Sequence, residues 1–154
     1  MFTLAEVLDL AIQIEKNGQL FYLNAMESAA DPQLKALLAW MAEEEQNHRA
    51  WFEQWRRRPE LVTGNPLVEE MTSEVLGDLL GRRTFSLEQV DLKALACSDQ
   101  MLAAALEFER DTVLFYEILI GFVTDKQVLD QIPRILAEER NHIDQLLARQ
   151  AAGT

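Results

Sequence analysis

Residues 44–48 read Glu44-Glu45-Gln46-Asn47-His48, and residues 138–142 read Glu138-Glu139-Arg140-Asn141-His142. The second motif follows the first by 94 positions, and together they contain both histidines of the chain. The same offset carries Tyr22 onto Tyr116, the only two tyrosines, and Glu15 onto Glu109. It also superimposes Leu8 on Leu102, Ala11 on Ala105, Phe21 on Phe115 and Asp31 on Asp125. A fixed period of this kind marks a duplicated structural unit. Each unit holds a lone glutamate and then a Glu-x-x-His, the residue set of a two-metal carboxylate centre inside a four-helix bundle.

Helix boundaries follow from caps and period. Thr3 with Glu6 forms a capping box that opens a first long helix, running to about Ala29. Asp31 before Pro32 opens a second, ending near Arg58 ahead of Pro59. Ser98 or Asp99 opens a third, reaching about Phe122, and Asp125 opens a fourth, reaching about Gln150. Pro133 lies inside the fourth and is expected to kink it or displace its start. Between the hairpins, residues 59–97 have no counterpart in the repeat. Asn65-Pro66 begins a crossover helix over Leu67 to Leu80, with Gly81 as its stop. The expectation is one all-α domain over 1–154: a hairpin at about 3–58, a crossover at 59–97 and a second hairpin at about 98–150. A connection this long can deliver the third helix parallel to the second, the one-crossover topology of ferritin-like folds.

Every long helix carries an inner stripe at alternating spacings of four and three. The stripes run Leu4, Leu8, Ala11, Glu15, Gly18, Tyr22, Ala25, Ala29 in the first helix and Leu34, Leu38, Met41, Glu45, His48, Phe52, Trp55 in the second. They run Leu102, Ala105, Glu109, Thr112, Tyr116, Leu119 in the third and Val128, Ile132, Ile135, Glu139, His142, Leu146 in the fourth. A glutamate interrupts each seam. Four carboxylates converging in an apolar core repel one another and are costly to desolvate. Two divalent cations remove that cost, and four glutamates with two imidazoles offer the oxygen and nitrogen donors that suit iron or manganese. Glu and His at i, i+3 share a helix face, so each motif can present both ligands to one cavity. Gly18 and Thr112, one turn beyond the lone glutamates, are small enough to leave room for metals or a small oxidant. Tyr22 and Tyr116 are candidates to hydrogen-bond a ligating carboxylate across the bundle or to take part in electron transfer. Of the Glu43–Glu45 run only Glu45 should point inward; Glu44 and Glu138 adjoin the ligands and repeat, which allows them a role in supporting the ligands, with a surface position the stronger expectation. Trp40, Trp51 and Trp55 read as packing or interface residues.

The bulk properties narrow the class further. A net charge of −12 disfavours nucleic acid and anionic membranes as partners. No apolar run reaches the ~18 residues of a membrane span, and the N-terminus lacks the positive charge of a secretory signal. A single cysteine, Cys97, excludes an internal disulfide framework and a four-cysteine iron site in this chain. These features point to the cytoplasm.

At these residues the chain resembles the rubrerythrin branch of the ferritin-like superfamily. AIQIEKNGQLFY (11–22) and ALEFERDTVLFY (105–116) look like the family's first and third helices, and EEQNH and EERNH like its second and fourth. The resemblance implies two iron ions per chain, with Glu15 and Glu109 as terminal ligands, Glu45 and Glu139 as bridges, and His48 and His142 completing one iron each. It implies reaction with hydrogen peroxide or O2, of peroxidase or ferroxidase type, and an external electron donor, rubredoxin-like or other. Rubrerythrins carry a further glutamate one turn after the third-helix ligand. Here that place is Thr112, so the set looks closer to the four-glutamate, two-histidine centre of bacterioferritins. The resemblance also leaves iron storage or hydroxylation of an organic substrate as alternatives. Ferritin cages carry a short extra helix after the fourth, whereas this chain ends 12 residues after His142, so a homodimer is expected.

Overall fold

The computed structural model describes residues 1–81 and 98–153, which form five α-helices and no strand. They are α1 (Leu4–Ser28), α2 (Pro32–Arg56), α3 (Pro66–Leu80), α4 (Ser98–Phe122) and α5 (Lys126–Ala152). The predicted caps account for most of these boundaries. At α1 the Thr3 side chain accepts from Glu6 N, while the Glu6 carboxylate accepts from Thr3 N at 2.8 Å. Asp31 accepts from Gln33 N at 2.9 Å, Asn65 from Leu67 N at 3.0 Å and Asp125 from Val128 N at 3.1 Å. Each bond satisfies a backbone donor that a helix start leaves open. The start of α5 is not displaced by Pro133; the helix runs through it, with the proline ring on an exposed position. The crossover from residue 82 to 97, with Cys97, lies outside the described residues.

Four long helices assemble as two hairpins, α1 with α2 and α4 with α5. Their relative directions are readable from side-chain contacts. Tyr22 meets Glu109 and Tyr116 meets Glu15, so α1 and α4 run antiparallel. His48 meets Glu139, and Trp51 meets Gln131, so α2 and α5 do too. The third long helix therefore runs parallel to the second, as a single long crossover requires.

Every seam residue named above is buried except Ala29, which caps the end of α1 and is half-buried, so the alternating four-and-three stripe is the inner surface of the bundle. Helix α4 is buried more widely than its seam, at Met101, Leu106, Phe108, Val113, Phe115 and Phe122, because α3 packs on it as well. Gly121 permits that approach: a Cβ there would lie 2.9 Å from Thr72 Cγ2. The crossover helix is also tied to the start of α1. Glu69, buried within α3, accepts a hydrogen bond from Leu4 N at 3.0 Å, and Phe2 N donates to Ser73 Oγ at 2.8 Å. No helix among the described residues is long and apolar enough to cross a membrane.

Candidate metal centre

The seam glutamates Glu15, Glu45, Glu109 and Glu139 are each at 0% exposure, with His48 at 3% and His142 at 0%. One helix contributes each carboxylate, so the four meet at one level of the bundle. Donor atoms of Glu15, Glu45, His48 and Glu139 all lie within 4.8 Å of one another, and those of Glu45, Glu109, Glu139 and His142 form a second such group. The groups overlap in Glu45 and Glu139, and each is completed by one lone glutamate and one histidine. His48 Nδ1 lies 2.9 Å from Glu139 Oε1 and 3.6 Å from Glu15 Oε1. His142 Nδ1 lies 3.1 Å from Glu139 Oε2 and 3.4 Å from an oxygen of both Glu45 and Glu109.

These contacts leave much of the polar surface unsatisfied. Glu15 Oε2, both oxygens of Glu45, Glu109 Oε2, Glu139 Oε2 and both nitrogens of His142 are buried without a hydrogen-bond partner. His142 Nδ1 sits near three carboxylates yet is aligned for a hydrogen bond with none. Buried polar atoms are almost always paired, and each unmet one costs ~1–3 kcal/mol. Six of them, all but the outer His142 Nε2, face one level of the bundle, and as carboxylate oxygens and an imidazole nitrogen they fit a pair of hard or borderline divalent cations as the missing partners.

The electrostatics agree. Burial first, and repulsion by Glu139 second, raise the carboxyls of Glu15, Glu45 and Glu109 above the usual range, the latter two strongly. Burial also opposes ionisation of Glu139, but the adjacent imidazoles of His142 and His48 outweigh it and hold that carboxyl well below the usual range. Burial disfavours a charged His48, yet its bonds to Glu139 and Glu15 push it up to about 12, and His142 moves in the same direction. Protons are thus the compensation that the chain itself offers for its four carboxylates.

Around this set the structure places the other candidates. Tyr22 donates to Glu109 Oε1 at 2.5 Å, and Tyr116 donates to Glu15 Oε1. Each tyrosine thus crosses from one hairpin to the lone glutamate of the other. Gly18 does not leave open space: its missing side chain is replaced by Phe108 and the Glu45 carboxylate, which a Cβ would meet at 3.0 and 3.1 Å. Thr112 is buried and returns its hydroxyl to Phe108 O at 2.9 Å. Glu43 is exposed and Glu44 half-buried, leaving Glu45 as the inward member of its run. Glu138, expected at the surface, is instead half-buried and bonds His48 Nε2 at 2.7 Å. Its recurrence as Glu44 was the available signal. The three tryptophans pack: Trp51 and Trp55 against Phe52, and Trp40 edge-on against His142.

The class follows from this arrangement: a ferritin-like bundle with a carboxylate- and imidazole-lined interior suited to two metals. The rubrerythrin family model matches residues 6–149, and the chain belongs to the rubrerythrin family. In fold it is similar to a crystal structure named as a ferritin-like diiron-carboxylate protein, from Thermotoga maritima. The similarity has a TM-score of 0.73 at 19% identity, over 99% of this chain and 97% of that one. No curated protein sequence matches.

Proposed function

We infer that this chain is a di-iron oxidoreductase, with Glu15, Glu45, His48 and Glu139 holding one iron and Glu45, Glu109, Glu139 and His142 the other. The observation that carries this reading is the overlap of two buried donor groups in Glu45 and Glu139, the sharing that bridging carboxylates need. When bound, iron would supply electrons to hydrogen peroxide or O2 and cycle between Fe(II) and Fe(III). The chain's own residues set the conditions for that exchange. Tyr22 and Tyr116 orient the terminal carboxylates of Glu109 and Glu15, and their buried hydroxyls are proton-bearing groups beside those ligands. Burial, and then the nearby carboxylates, raise both phenols well above their ordinary range, so they stay protonated and keep donating. Leu8, Ala11, Met41 and Phe52, all fully buried on the same seams, keep bulk water from the centre.

Peroxidase and ferroxidase chemistry differ in the oxidant and in the fate of the electrons. A peroxidase cycle uses two electrons and two protons to convert hydrogen peroxide to water, with an external donor restoring Fe(II). The test is stopped-flow absorbance of anaerobic Fe(II)-loaded protein mixed separately with peroxide and with O2. Faster oxidation by one of them than of free Fe(II) at matched pH supports the reading and names the oxidant. Oxidation no faster than that of free Fe(II) with either reagent overturns it.

A further inference from the structure

His48 and His142 occupy equivalent places in the two hairpins, yet their outer nitrogens meet different surroundings. Nδ1 of each turns inward, towards Glu139. His48 Nε2 faces the other way and bonds Glu138 Oε2 at 2.7 Å. Glu138 is held there by Arg134, one turn earlier on α5, at 3.4 Å. Both line a pocket of about 460 Å³ with Glu44, Trp51 and Gln131, and His48 forms part of its wall. On the other side of the centre, His142 has the indole of Trp40 edge-on against it, with ring centroids 5.3 Å apart and planes at 84°. Its Nε2 makes no hydrogen bond among the described residues.

This divergence is written in the repeat. The offset of 94 preserves glutamate at 44 and 138 but sets Trp40 against Arg134. Arg134 lies beside Glu138, which bonds His48, whereas Trp40 takes the ground beside His142. Glu44 therefore gathers with His48 and Glu138, on the side opposite to the one its symmetry mate implies.

An imidazole that gives its Nδ1 lone pair to a metal must carry its proton on Nε2. A carboxylate accepting that Nε2–H selects the tautomer, fixes the ring and strengthens the ligand; loss of such a partner weakens metal binding by about 10–100-fold. We propose that Glu138 is a positioning residue that makes the two metal positions unequal, so that the one completed by Glu15 and His48 binds its cation more tightly than the one completed by Glu109 and His142. This rests on the two-metal reading above.

The test is an anaerobic Co(II) titration of wild type, E138A, E138Q and E44A, read by visible absorbance. Paramagnetically shifted imidazole N–H signals of the loaded proteins are recorded alongside. Wild type is expected to bind two equivalents in unequal steps, with one N–H signal exchanging slowly with water. E138A should weaken the tighter step by about 10–100-fold, leave the other in place and lose the slow signal. E138Q, whose amide oxygen can accept the same bond, should fall between wild type and E138A and retain the signal. E44A removes a neighbouring charge without touching the bond and should match wild type. Fewer than two equivalents in wild type would overturn the two-metal reading itself. Two equivalents with both constants unchanged in E138A, or E138Q no better than E138A, would overturn only the role assigned to Glu138.

Discussion

Tyr22 on α1 donates its hydroxyl to Glu109 on α4 at 2.5 Å, and the repeat returns the same bond from Tyr116 to Glu15. Each hairpin therefore orients the lone carboxylate of the other. Y22F and Y116F should each keep the fold and lower metal affinity by several-fold, since a charge-assisted bond that orients a ligand is lost. A metal titration checks this, and because the bonds are reciprocal the two variants should lose comparable affinity. Unchanged binding in both would reduce the tyrosines to core packing.

Removing a shared ligand should be more severe. E45A is expected to reduce bound metal from two per chain towards none, because Glu45 belongs to both donor groups, while H142A should leave about one. The metal-free E45A protein should nonetheless be as stable as wild type or more so, since Glu45 is fully buried with neither oxygen hydrogen-bonded. Metal analysis and chemical denaturation in chelator measure the two effects separately.

Stability of the metal-free protein should fall as pH rises. Glu15, Glu45 and Glu109 have carboxyls raised above 4.5 in the folded state, so folding takes up protons and the advantage fades as pH climbs past that value. His48, raised from 6.5 to about 12, acts in the same sense: its contribution is complete below 6.5 and is lost towards 12. Glu139, lowered, opposes them only below 4.5. Metal reverses the trend, because it needs the ligands deprotonated. Thermal melts from acid to mildly alkaline pH, with and without Co(II), should show the metal-induced rise in Tm growing with pH. A constant rise would contradict proton–metal competition at these groups.

Gly18 is a point where packing and ligand geometry meet. A methyl group there would press on the Phe108 ring at 3.0 Å and on the Glu45 carboxylate at 3.1 Å. Alanine in place of a mid-helix glycine contributes about 0.5–1 kcal/mol through reduced backbone entropy. G18A should therefore change metal-free stability little while weakening metal binding, which melts and titration on one preparation will show. The reverse pattern, a collapsed Tm with intact affinity, would mean that Phe108 and not Glu45 yields.

Glu69 offers a control that touches the fold and leaves the centre alone. Its carboxylate accepts from Leu4 N, a buried donor at the start of α1. E69A should cost about 1–3 kcal/mol of stability with two metals still bound. Loss of metal in a folded E69A protein would tie the crossover helix to the centre.

The seams, the caps and all six proposed ligands were legible in the chain, because each depends on spacing within one helix or on a repeat between two. Leu34, Leu38, Met41, Glu45, His48 and Phe52 share a face whatever packs against it. Position within the first motif was equally decisive, since in the Glu43–Glu45 run only Glu45 keeps the seam register. Pro133 did not displace the start of α5, which Asp125 caps as expected: a proline ring is tolerated where the helix face is exposed, and exposure is a property of the assembled bundle.

What the linear chain determined, then, is which side chains face inward and that they do so twice. Helical period and duplication are local or one-dimensional properties, and a residue's place in them needs no partner. The folded bundle alone decided that Tyr22 reaches Glu109, that Gly18 yields its space to Glu45, and that Glu138 turns to His48 while Trp40 faces His142. Those pairings span 27 to 102 positions of chain, and their distances come from how helices pack, which no spacing within a single helix encodes.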